Sequence, residues 1–258
     1  MNINLKVVKS AIAATAGLAV LGISSAAQQP ADTGKPATSL PHVNELTARE
    51  KRDGWKLLFD GKTTAGWRNF KKQDISQGWQ VHDGALCRVD STAGDIVTTD
   101  EYDNFELQLD YKVPEHANSG ILYRVSEDRG ATWATGPEFQ ILDNTDPHGD
   151  PQRSGWCYGL YQSPMDPKTG KPLDATKPVG EWNHIRLVCN GPHIEHWMNG
   201  KKYCEYEIGS EDWNNRVEHS KFGKMPGFAK NTKGYISLQG DHGNVCYANI
   251  KLRPLKPK

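Results

Sequence analysis

The chain has 258 residues with 31 basic and 31 acidic side chains, hence no formal net charge, and no basic run stands out. That balance argues against nucleic acid as a partner. Eight Trp and nine Tyr in an otherwise polar chain offer aromatic faces to the apolar sides of sugar rings as well as to a core.

Taken in chain order, Lys6 and Lys9 precede an apolar run from about Ala11 to Ile23, and Ser25-Ala26-Ala27 offers a small-residue cleavage point. Residues 1–27 therefore read as an export signal, with the protein periplasmic or secreted. The run is too short for a membrane span. Pro30, Pro36 and Pro41 among small polar residues make 28–46 a linker, leaving 47–258 as one domain. Thr47-Ala-Arg-Glu50 matches a capping box, with Gly54 placed to end the short helix.

Beyond that helix the period is two. Phe105–Val113 alternates cleanly, with Phe105, Leu107, Leu109 and Tyr111 on one face and Glu106, Gln108 and Asp110 on the other. Further strands are expected at 120–125, 138–143, 182–189, 193–198, 202–208, 234–240 and 245–254, with 210–224 a loop holding a short helical turn. Many short strands broken by Gly, Pro, Asn and Asp predict an all-β sandwich of two antiparallel sheets. Ile121, Tyr123 and Val125 inward would turn Leu122 and Arg124 outward; Ile236 and Leu238 inward would turn Ser237 and Gln239 outward.

The five cysteines, Cys87, Cys157, Cys189, Cys204 and Cys246, form no metal-type pair. Asn190-Gly191 and Asn199-Gly200 turns between Cys189 and Cys204 predict a three-stranded meander with these two on its outer strands. Two strand spacings are about 9.6 Å, beyond the roughly 7 Å limit for a disulfide, so no bridge is expected there. The other cysteines are expected as buried apolar fillers.

The stretch Gly136–Asp150 runs from an alternating strand into a loop carrying Asp143, Asp146, His148 and Asp150. With Phe139 and Ile141 in a core, Glu138 and Gln140 point out together, as a site or simply as a half-buried strand before a solvated turn. His148, Asp150, Asp143 and Glu138 contain ligand types that fit a divalent cation. His242, in the turn Gln239-Gly-Asp-His-Gly243, is a second candidate for the same cleft. His184, His193 and His196 are expected to be structural or on the surface, with no acidic partner evident from spacing. Trp79, Trp133 and Trp156 are stacking candidates, core packing being the commoner fate of a Trp. No G-x-S-x-G, H-E-x-x-H, P-loop or G-x-G-x-x-G pattern is present. Glu138 and Asp143 on an unbroken strand would face opposite sides, so a retaining carboxylate pair is not supported.

Trp55–Lys62 followed by Gly66-Trp67, then Asn118–Ile121, Glu138–Asn144 with His148 and Asp150, Gly159–Tyr161, Glu181–Asn183, His193–Gly200 and Gly234–Leu255 occur in order. Together they resemble the bacterial 3-keto-disaccharide hydrolase family across about Trp55 to Leu255. The resemblance implies a concanavalin A-like jelly roll and action on glycosides oxidised to a ketone at C3. For that chemistry a base and a proton donor are expected among Glu138, His148 and Asp150, with substrate contacts from Arg124, Gln140, Asp143, Gln239 and His242. Tyr247-Ala248-Asn249-Ile250 departs from the family's frequent aromatic-Arg-Asn-Ile. A non-catalytic carbohydrate-binding sandwich is the alternative, and a small sugar or oligosaccharide the expected partner under either reading.

Overall fold

The structure is a computed structural model that describes residues 44–146, 152–240 and 242–256. The expected signal and most of the expected linker lie outside these residues. No helix among the described residues is long and apolar enough to cross a membrane.

The domain starts earlier than its first helix. Asn44 and Asn249 exchange backbone-to-side-chain hydrogen bonds at 2.7 and 2.9 Å, and Asn44 Nδ2 donates to the Gly84 carbonyl. Helix α1 (Ala48–Arg52) is closed by the expected capping box, and its Glu50 carboxylate meets Lys251. The chain then lays down β1 (Lys56–Leu57), β2 (Trp67–Asn69), β3 (Trp79–His82), β4 (Ala85–Arg88), β5 (Ile96–Thr98), β6 (Phe105–Lys112), β7 (Asn118–Val125) and β8 (Glu138–Leu142). After a long connection come β9 (Asn183–Asn190), β10 (His193–Met198), β11 (Lys201–Glu207), helix α2 (Glu211–Glu218), β12 (Tyr235–Leu238) and β13 (Val245–Pro254).

These strands form two antiparallel sheets, an all-β jelly-roll sandwich. The larger runs β11-β10-β9-β6-β13-β4-β3 with β1 on β13, and the smaller runs β2-β5-β12-β7-β8. Between them lies one core. Phe105, Leu107, Leu109 and Tyr111 of β6, Ile185 and Leu187 of β9, and Ile250 and Leu252 of β13 face Ile121 and Tyr123 of β7, Phe139 and Ile141 of β8, and Ile236 and Leu238 of β12. All are fully enclosed, so truncating one such Leu to Ala should cost about 2–5 kcal/mol.

Four details correct the sequence reading. First, β7 bulges at Arg124, which has φ 56°, and the register to β12 shifts there. The extra residue moves Val125 to the outer face beside Leu122 and Val97 instead of inward. Second, Cys87 and Cys246 are not fillers. They stand opposite each other on β4 and β13 and form a disulfide. Cys157, Cys189 and Cys204 are free and buried, and burial pushes the Cys189 and Cys204 thiols up to about 12. The absence of a Cys189–Cys204 bridge follows the meander geometry as expected. Third, the 210–224 region holds a full helix, α2, whose N-cap Ser210 accepts from the Trp213 amide. A 3-10 turn at Lys221–Lys224 follows, with Ser220 as its cap.

Fourth, the acidic face of β6 lies on the larger sheet. Glu106 there accepts from Arg186 at 2.7 Å and Arg253 at 2.8 Å. His184 and His193 do have acidic partners, Asp110 for the first and Glu195 and Glu207 for the second. His196 is fully buried and structural: burial lowers its pKa to about 3, against the Gly155 and Trp156 backbone interactions.

Candidate active site

The outer face of the smaller sheet carries a cleft of about 260 Å³ lined by Asn118, Trp133, Glu138, Gln140, Tyr158, Lys221, Met225, Gln239 and His242. Alternation along β8 puts Glu138 and Gln140 side by side on its floor, because Phe139 and Ile141 are held in the core. This outward face is covered rather than solvated: Glu138 is 8% exposed and Gln140 1%. The edge of β8 is sheltered by the chain at 155–158. Gly155 donates to the Gln140 carbonyl, Gln140 to the Trp156 carbonyl and Tyr158 to the Glu138 carbonyl.

Gly120 of β7 pairs with Gln140, and the Glu138 side chain leans across it. A Cβ at Gly120 would sit 2.7 Å from Glu138 Cδ and 2.8 Å from Cγ, closer still to Oε1. Only glycine leaves this floor open. The Gln140 amide, oriented by its surroundings, donates to Glu138 Oε1 at 2.8 Å and to the Ser119 carbonyl at 3.1 Å. Beneath, Ser119 Oγ lies 2.8 Å from the Tyr247 hydroxyl and donates to the Gln239 carbonyl. Burial raises the Tyr247 phenol, opposed by Ser119 and reinforced by Glu138, so it remains a neutral hydroxyl group.

The cleft has two ends. Trp133, in the 3-10 turn Thr132–Ala134 that precedes β8, and Tyr158 belong to the Glu138 end. Lys221 Nζ lies 4.1 Å over the Tyr158 ring. Asn118, paired with Leu142, marks the other end. The turn holding His242 belongs there too, since a Cβ on Gly243 would be 3.0 Å from the Asn118 nitrogen. Arg88 fastens that turn by donating to the Gly240 carbonyl and to Asn244 Oδ1, both at 3.0 Å. The cleft therefore offers a carboxylate held by an amide, a lysine ammonium, further amide groups and an imidazole. That set can remove a proton and stabilise a developing oxyanion.

Residues 54–253 match the family described as the 3-keto-alpha-glucoside-1,2-lyase-like domain. The chain belongs to that family. It is 31% identical over 232 residues to a 3-keto-disaccharide hydrolase of Bacteroides thetaiotaomicron, covering 79% of each chain. Among solved structures it resembles a candidate glycosyl hydrolase from Parabacteroides distasonis at 32% identity and a TM-score of 0.73, covering 83% of this chain and 100% of that one. A second candidate glycosyl hydrolase from the same species matches at 31% identity and a TM-score of 0.57, with 78% and 99% covered.

Within this 3-keto-alpha-glucoside-1,2-lyase-like domain, Glu138, Gln140, Gln239 and His242 come together as the sequence reading expected. Arg124 does not join them. The β7 bulge carries its guanidinium to the Gly191 carbonyl in the β9–β10 turn. Asp143 also takes another part. Its carboxylate accepts from the His116 amide and from both the amide and the hydroxyl of Thr145, shaping the loop after β8. Burial raises its pKa, but these donors outweigh it and the net shift is downward. With both oxygens so engaged, Asp143 is a poor metal ligand.

His148 and Asp150 lie outside the described residues. The metal-type group among the described residues, His193, Glu195 and Glu205, is on the larger sheet, where Lys202 and Arg186 already neutralise it. Ala248 is buried against Ala85 and Cys87 on that same sheet, so the departure from the family pattern falls away from this cleft.

Four lining residues, Asn118, Tyr158, Lys221 and Met225, were given no role by the sequence reading. Asn118 is in phase with Gly120 at the start of a strand, which was a usable signal. Lys221 lies in the stretch expected as a loop with a short helical turn and Met225 directly after it; Ser220 ahead of the 3-10 turn was the available cue. Of the three stacking candidates, Trp79 and Trp156 are core, whereas Trp133 is 42% exposed at the cleft.

Proposed function

We propose that this protein cleaves glycosides whose sugar carries a ketone at C3, by elimination followed by addition of water. The observation that carries the reading is Glu138: a carboxylate set over a glycine floor, held by Gln140, in a cleft that also holds Lys221. Membership of the family and the name of the Bacteroides relative support the same substrate class.

A C3 ketone acidifies the C2 hydrogen. Glu138 removes that proton, and the C–H electrons form the C2–C3 enolate. Lys221, assisted by the Gln239 amide, stabilises the charge on the C3 oxygen. The enolate reforms its carbonyl as C1=C2 forms and the C1–O bond breaks. The leaving oxygen is protonated by His148 or Asp150. Water then adds at C1 while a proton returns to C2, so the net change is hydrolysis. Ordinary glycoside hydrolysis uses two acids across the bond; the described lining offers one, Glu138, which suits a route needing a single base.

The test is turnover of a 3-keto-glucoside in D2O. The reading expects deuterium at C2 of the 3-keto sugar produced, with both exchange and aglycone release lost in Glu138→Gln. Release with the original C2 hydrogen fully retained would contradict it.

A further inference from the structure

We propose that the free face of Trp133 is the platform for the leaving group, and that the preferred leaving groups are those with a flat apolar ring face. This rests on the reading above and adds the part of the substrate that departs.

Trp67, Trp79, Trp156 and Trp213 are buried. Trp55 has Lys251 and Arg253 over its ring, Trp182 has Lys112, and Trp197 has Arg186 and Lys202. Trp133 alone among the eight is both exposed and without a ring or cation partner among the described residues. Its backbone, by contrast, is well held. Thr132 and Thr135 on either side are fully enclosed, Thr132 donates to Asp95, and the Thr135 hydroxyl accepts from the Ser126 amide.

An indole fixed at its base and bare on its face is built to receive something. Met225, from a different part of the chain, adds a second apolar surface to the same cleft. The polar chemistry is carried by the floor, through Glu138, Gln140 and Gln239. With the oxidised sugar over Glu138, the group at C1 is directed to one end of the cleft, and the apolar end is that of Trp133. An aryl ring and the apolar face of a second sugar ring share the chemistry that such a surface recognises.

The experiment compares three 3-keto-glucosides, with methyl, phenyl and glucosyl leaving groups, using the wild-type protein, Trp133→Ala and Trp133→Tyr. Intrinsic leaving ability cancels when one substrate is compared between proteins. Trp133→Ala should lower kcat/KM for the phenyl or the glucosyl substrate by about 5–10-fold more than for methyl, carried mainly in KM, and Trp133→Tyr should restore most of it. Loss for phenyl alone identifies an aryl platform, and loss for glucosyl alone a sugar platform. Equal losses for all three substrates would overturn the proposal.

Binding of unoxidised phenyl and methyl glucosides, measured by calorimetry, separates failure of the platform from failure of the reaction. If no 3-keto-glycoside is cleaved but phenyl binding still weakens selectively in Trp133→Ala, the platform stands and the reaction assignment falls. If phenyl and methyl weaken alike, the platform falls.

Discussion

Gly120→Ala is the sharpest perturbation of the cleft. Gly120 does not have a positive φ, so alanine fits the backbone and the effect falls on what its methyl group meets. That methyl would stand 2.7 Å from Cδ and 2.8 Å from Cγ of Glu138, whereas carbon atoms separate to about 3.5 Å or more. Glu138 must retreat by about 0.8 Å, and the 2.8 Å hydrogen bond from Gln140 cannot be kept. A displacement near 1 Å of a reacting group costs about a hundredfold in rate. The overpacking cost should be about 1 kcal/mol, the low end of the usual range, because the obstructing group is a side-chain end that can turn. The assay is kcat on a 3-keto-glucoside alongside thermal unfolding of the same preparation. Loss of turnover without comparable loss of folded protein is expected. Wild-type kcat in Gly120→Ala would refute the placement of the Glu138 carboxylate as the working base.

Replacing Cys87 and Cys246 together with Ala should lower stability by about 2–5 kcal/mol in chemical denaturation, since the bridge closes a loop of 159 residues in sequence separation; an unchanged midpoint would remove its structural role. On acidification, His196, held near 3 against an ordinary 6.5, makes unfolding take up a proton, so stability should fall between about pH 6.5 and 3 with a slope approaching 1.4 kcal/mol per pH unit. Glu195 adds a limb from about 4.5 down to 2: burial raises its pKa, but the Trp197, His193, Lys202 and Arg186 contacts bring it to about 2. Glu195→Gln should flatten that lower limb by about 1–2 kcal/mol, and urea midpoints across pH read both effects. Lys221→Met should reduce kcat at least tenfold with little change in melting temperature, because the side chain is exposed and serves the oxyanion; a variant impaired only in KM would make Lys221 a binding group instead.

The long strands were legible because each buries one face. β6 and β10 follow their alternation, β13 changes phase at an irregularity between Ala248 and Lys251, and the paired Asn-Gly turns set the meander. Strands β1 to β5 were not legible, being two to four residues long and too short for a period to show. Glu138, Gln140 and Gln239 were readable as a set because phase along β8 and β12 fixes their face, and His242 because its turn directly follows β12. Arg124 was misread for the same reason: a bulge adds a residue to one strand, and alternation beyond it reverses. The Cys87–Cys246 bridge joins residues brought together by β4 and β13 pairing, which no local pattern announces. Lys221 was missed because a short capped turn carries little periodic signal, yet tertiary packing brings it to Tyr158.

The most direct test of the account is aglycone release from a 3-keto-glucoside and its unoxidised parent, side by side, by the wild-type protein and Glu138→Gln. The account predicts release from the ketone alone, reduced at least a hundredfold in a variant that remains folded and still binds sugar. Comparable release from the unoxidised parent, or full activity in Glu138→Gln, would contradict it.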